Sequence, residues 1–179
     1  MTTTQNRSLM KSVLFADATL YVRTEFHGLY TSLSPYKKET EEISAKPKIF
    51  SKHIETFLFC ALLAKKKGIV TSEEDFASFK RKELIRTQSF NDQDKAAFLA
   101  VAFKKESFDF NVLHEAEVLK GELERYADAG MTYFLENCLA DFVTENELDG
   151  ETTRVVDTDQ KQYHVEKSIL SFIKKELAI

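Results

Sequence analysis

Between Leu119 and Phe142 one apolar stripe keeps three-and-four spacing without a slip: Leu119, Leu123, Tyr126, Ala127, Gly130, Met131, Phe134, Leu135, Cys138, Leu139 and Phe142. Side chains three and four apart lie on one side of an α-helix, so the stripe demands one long helix, or two meeting at Asp128-Ala129-Gly130, with one side turned to a core. Glycine inside a helix costs about 1 kcal/mol relative to alanine, so Gly130 marks a kink or the close approach of another helix.

A second periodic segment is Ile54, Phe57, Leu58, Ala61 and Leu62, which Phe59, Cys60 and Leu63 widen until it is apolar almost all round. That pattern predicts a central, buried helix over 51–67. Ser51 is read as its N-cap, Lys65-Lys66-Lys67 complement its carboxyl end, and Gly68 supplies a left-handed stop. After a loop with Glu73-Glu74-Asp75 comes a segment from Phe76 to Arg86. Asn91 then opens a further helix, which Ser107-Phe108-Asp109-Phe110-Asn111 interrupts. Leu148-Asp149-Gly150 reads as a turn, Thr152 to Val156 as a short strand, and Val165, Ile169, Phe172, Ile173 and Leu177 as a final amphipathic helix. Residues 9–30 favour helix by the spacing of Leu14, Ala18, Tyr21, Val22, Phe26 and Leu29, while Thr19 to Thr24 also suits a short strand.

Five Gly and two Pro are too few for a many-stranded sheet, and fifteen Phe with no Trp are core material first. The expected fold is mainly α: a compact helical domain of about five to six helices, with room for a short β element near 19–24 or 152–156. A polar stretch at 31–47 divides an amino-terminal extension, 1–46, from a helical core domain, 47–179. The amino terminus is polar, the longest apolar run is the eight residues Phe57 to Ala64, and Cys60 and Cys138 sit in apolar surroundings. A membrane span needs about 20 apolar residues, so the expectation is a cytoplasmic protein with two buried thiols.

Charge is uneven. Residues 46–105 carry a net +6, residues 106–160 a net −12, and residues 161–179 a net +2. Lys65, Lys66, Lys67, Lys80, Arg81, Lys82 and Arg86 concentrate seven cations in 22 residues, with Phe76, Phe79 and Phe90 nearby. They are the candidate residues for contact with nucleic acid or a partner, because phosphates need cations and unpaired bases stack on aromatic rings. The same cations also serve as solvated helix faces. His27, His53, His114 and His164 lie in no zinc spacing, and His114-Glu115-Ala116-Glu117 supplies no second half for a di-iron site. No phosphate-cradling glycine loop and no nucleophile elbow occurs. The sequence therefore assigns no catalytic, cofactor or metal residue.

Two stretches carry a family resemblance. Residues 50–68, a Phe before an apolar, Ala-rich helix ending in Lys65-Lys66-Lys67-Gly68, resemble the opening of the DNA phosphorothioation-associated (Dnd system-associated) protein 4 family. Glu124-Arg125-Tyr126-Ala127-Asp128-Ala129-Gly130-Met131, followed by Phe134-Leu135, resembles that family's E-x-Y-A-x-x-G element. The resemblance covers about residues 48–140 and implies the company of bacterial systems that modify or restrict DNA against phage. On this basis the expected function is a non-catalytic accessory subunit held by a larger protein, such as an ATPase or nuclease subunit. A small DNA-binding module using residues 65–86 is the alternative, and an enzyme with an unrecognised site comes third. No membrane and no small-molecule substrate is expected.

Overall fold

The computed structural model describes residues 18–34, 49–102, 116–148, 150–157 and 162–177. The described residues form six α-helices: α1 (Thr24–Leu33), α2 (His53–Lys67), α3 (Glu73–Ser78), α4 (Asp92–Ala102), α5 (Ala116–Phe134) and α6 (Gln162–Leu177). Four strands accompany them: β1 (Thr19–Arg23), β2 (Arg81–Arg86), β3 (Val143–Leu148) and β4 (Glu151–Val156). The fold is mostly helical with two small antiparallel sheets, β1 with β2 and β3 with β4. No helix among the described residues is long and apolar enough to cross a membrane.

The long stripe forms one helix, α5, continued by a π-turn at Leu135–Leu139 and a 3₁₀ turn at Ala140–Phe142. Its main partner is α2. The two come close enough that a Cβ on Gly130 would overlap the carbonyl oxygen of Cys60, so the glycine marks a close approach and no helix break. Leu119, Leu123, Met131, Phe134 and Leu139 from this stripe and Phe57, Cys60, Ala61 and Leu63 from α2 are fully buried in one cluster.

The start of α2 corrects the sequence reading. Lys52, not Ser51, is the capping residue and makes no side-chain capping bond. Glu55 instead reaches back to Ser51, accepting its backbone N–H at 2.7 Å and its hydroxyl at 2.7 Å. A carboxylate in the first turn also suits the helix dipole, which is why it displaces the serine from the capping role. The carboxyl end is as read. Gly68 has φ +69°, Gly68 N–H bonds Lys65 O, and Ile69 N–H bonds Ala64 O. Asn91 likewise caps α4 as read: Asp94 N–H bonds Asn91 Oδ1 at 2.8 Å and Asn91 N–H bonds Asp94 Oδ2 at 3.0 Å.

The helix favoured over residues 9–30 is corrected to a strand and a shorter helix among the residues described. Thr19 to Arg23 alternate half-buried and buried, as β-branched and aromatic residues on a pleated surface do, and α1 begins at Thr24. The loop read at Glu73-Glu74-Asp75 is corrected to the first turn of α3, which Ser72 caps by accepting the Asp75 N–H at 3.1 Å. The partner of β1 is β2, so the segment Phe76 to Arg86 divides between the end of α3 and a strand. The register pairs Thr19 with Arg86 and Arg23 with Arg81, with a bulge beside Leu20 and Tyr21. Of the expected turn at 148–150, Asp149 lies outside the described residues; Leu148 ends β3, and Gly150, at φ +75°, precedes β4. α1 lies on β4 at Gly28, where a Cβ would meet the Arg154 carbonyl. Residues 19–33 thus share the core through Leu20, Val22, Phe26, Leu29, Tyr30 and Leu33. His114, Phe103 and the interruption at 107–111 lie outside the described residues.

Candidate functional site

The seven cations engage different elements. Lys65 Nζ donates to the Ala100 carbonyl at 2.8 Å and to that of Val101, closing the carboxyl end of α4. Lys67 pairs with Glu176 of α6 at 2.5 Å and lies over the Tyr133 ring. Lys80 pairs with Glu151 of the β3–β4 hairpin at 3.4 Å. Arg81 lies 3.8 Å from Glu124 of α5 and 5.3 Å from the centre of the Phe76 ring. Arg86 pairs with Glu83 on its own strand at 3.2 Å. Lys66 and Lys82 are exposed and make no ion pair among the described residues. Arg81, Lys82 and Arg86 are brought together by β2; Lys65 and Lys67 turn to α4 and α6 instead. Phe76 and Phe90 are core residues and Phe79 is half-buried, so these rings are packed rather than offered to bases.

Below β1 runs a network of buried charge. Arg23 grips Asp128 with two hydrogen bonds, Nε to Oδ1 at 2.9 Å and Nη2 to Oδ2 at 2.6 Å, while Thr71 donates to Oδ2 at 2.7 Å. Arg23 also pairs with Glu25, which Arg154 reaches at 3.2 Å. One helical turn before Asp128, Glu124 accepts the Tyr21 N–H at 2.7 Å. Burial pushes the Glu124 carboxyl up to about 7, against the pull of the Tyr21 amide, Lys120 and Arg81. These groups join α5 to β1, α1 and β4, so their work is to fix the elements relative to one another.

A cleft of about 730 Å³ opens between the start of α2 and β2, lined by Ser34, His53, Ile54, Glu83, Ile85 and Arg86 among others. Ser34 Oγ and His53 Nδ1 are 3.0 Å apart. This is no activated nucleophile. The buried Ser34 hydroxyl donates to Tyr30 O at 2.9 Å and accepts from Thr56 Oγ1 at 3.1 Å, which leaves His53 Nδ1 as a donor. Burial lowers the proton affinity of His53. Burial, then Lys82 and His53, lower that of His27. Burial also pushes the Cys60 and Cys138 thiols up, and Cys138 is half-buried beside Ser168. Neither thiol is an activated nucleophile. The Tyr30 hydroxyl is fully buried, with the Cys60 thiol beside it.

The remaining feature is α6. Val165, Ile169 and Phe172 face the core, with the Phe172 ring 5.3 Å from Phe134. On its outer side Tyr163 and Leu170 are 71% and 55% exposed. Seven residues are two helical turns, so the two share one side. Beside them, α6 and the π-turn enclose a groove of about 450 Å³. Phe142 and Phe172 line it together with Asn137, His164, Lys167 and Lys175. No carboxylate is among the described residues that line it. The Asn137 side chain donates to Tyr133 O at 2.8 Å, supporting a carbonyl at the point where the helix changes register. Sequence reasoning missed this groove. Its only signal was that Tyr163 and Leu170 fall off the apolar stripe of an otherwise regular amphipathic helix.

No family model, no curated protein and no solved structure matches the chain.

Proposed function

We propose that this chain is a non-catalytic accessory subunit of a prokaryotic anti-phage defence complex, acting in the cytoplasm through protein–protein contacts made by the outer side of α6. The observation that carries the reading is the pair Tyr163 and Leu170, large apolar side chains left exposed on a helix whose inward side is already packed. Burying each in a partner is worth about 1.5–3 kcal/mol. Tyr is also favoured at interfaces because its ring is apolar and its hydroxyl wet. The defence setting, with a larger ATPase or nuclease as the partner, rests on the resemblance of residues 48–140 to the Dnd-associated protein 4 family.

DNA binding through residues 65–86 is the weaker reading. Lys65, Lys67, Lys80, Arg81 and Arg86 would each exchange a partner within the chain for phosphate. Co-expression with the products of the genes flanking its own tests the proposal. A stable complex with one of them is expected. A monomer that ignores every neighbour but binds duplex DNA, with affinity falling steeply as salt rises, would transfer the function to the basic segment.

A further inference from the structure

We propose that the groove between the π-turn and α6 is a docking site for an acidic segment of a partner protein that carries an apolar side chain between its carboxylates. This inference rests on the preceding reading for its setting but stands on the groove's own chemistry. Lys167 and Lys175 are exposed cations on one wall beside the exposed His164 imidazole, and no carboxylate is among the described residues that line the groove. Two acids adjoin these lysines in sequence, Glu166 and Glu176; Glu176 is buried on the core side of the helix, where it pairs with Lys67 at 2.5 Å. An exposed lysine is a ready match for a carboxylate across an interface.

The floor adds the apolar part. Phe142 is half-buried and Phe172 almost wholly so. Such a floor takes an aliphatic or aromatic side chain pressed against it. It does not offer the open ring face on which a nucleic-acid base stacks. Two lysines about 12 Å apart along the helix are also too short a track for a phosphate backbone. The π-turn follows the carboxyl end of α5 and shapes the opposite wall. Here it carries Asn137 to the groove wall opposite α6. Tyr163, whose ring meets His164 edge-on at 5.9 Å, carries the apolar outer side up to the groove's edge.

The test is selection of a displayed random peptide library on the purified full chain, beside a Lys167→Glu/Lys175→Glu variant whose folding is checked by circular dichroism. The expected result is a wild-type pool enriched in Asp and Glu around a Phe, Leu or Tyr, binding the variant roughly tenfold or more weakly. Selected peptides without acidic enrichment, peptides that bind the variant equally well, no enrichment at all, or their displacement by a short oligonucleotide would each overturn the proposal. The two readings fail separately. A flanking-gene complex that tolerates Lys167→Glu/Lys175→Glu but not Leu170→Asp removes the groove and keeps the subunit. Acidic peptides selected by a chain that ignores every neighbour remove the subunit and keep the groove.

Discussion

Gly130 and Gly121 sit on the same helix and have opposite surroundings. A methyl group on Gly130 would overlap the Cys60 backbone, whereas nothing lies within 4 Å of one on Gly121. Gly130→Ala is therefore expected to destabilise the protein by about 3 kcal/mol, the upper part of the usual overpacking range. Gly121→Ala is expected to stabilise it by about 0.5–1 kcal/mol through helix propensity. Urea unfolding of the two variants checks the pair. Glu124 gives a pH prediction with a definite sign. Its carboxyl is raised from 4.5 when unfolded to about 7 when folded, so the fold favours the protonated form. The resulting stability is complete below pH 4.5 and is lost as pH rises to about 7. Glu124→Gln keeps an oxygen for the Tyr21 amide and removes the titration. Its stability relative to wild type should rise over that window, by up to roughly 3 kcal/mol. A difference that does not change with pH would show that burial leaves the carboxyl's proton affinity unchanged, and one that falls with rising pH that the carboxylate is stabilised as an ion. His27 and His53 act oppositely: their lowered proton affinity gives stability above about pH 6.5 that is lost as pH falls below it.

At the scale of elements, capping supplies the sharpest comparison. Asn91 and Asp94 exchange side-chain bonds at the start of α4, so Asn91→Ala should cost about 1 kcal/mol. Ser51→Ala at α2 should cost less, because Glu55 keeps the Ser51 backbone bond. Thermal unfolding of both variants checks this order. The same comparison shows what the sequence made legible. α2, α4, α5, α6, the left-handed stop at Gly68 and the close approach at Gly130 all depend on local pattern, and each was readable. β2 was not, because Arg81-Lys82-Glu83-Leu84-Ile85-Arg86 has no clean alternation. Its pairing partner lies some 60 residues earlier, at Thr19 to Arg23. β1 was ambiguous for the same reason: five residues suit a helix or a strand until a neighbour decides. The π-turn left no trace in the periodicity, since Leu135, Cys138 and Leu139 keep helical spacing through it.

At the scale of the molecule, the basic middle meets the acidic stretch through Lys80 with Glu151 and Arg81 with Glu124, while Lys67 pairs with Glu176 of the last helix. The charge asymmetry that the sequence offered as a sign of nucleic-acid binding is in good part spent within the fold. No carboxylate is among the described residues that line the groove on α6. It lay hidden in a segment of modest net charge because its two lysines stand eight residues apart on one helix. The account's central claim is that the outer side of α6 is held by another protein. The most direct measurement is sedimentation of the wild-type chain and a Tyr163→Asp/Leu170→Asp variant with each flanking-gene product. The account predicts that the wild type co-sediments with one of them and that the variant, with unchanged thermal unfolding, does not. A complex that forms equally well with the variant, or a wild-type chain that sediments alone beside every neighbour, would contradict it.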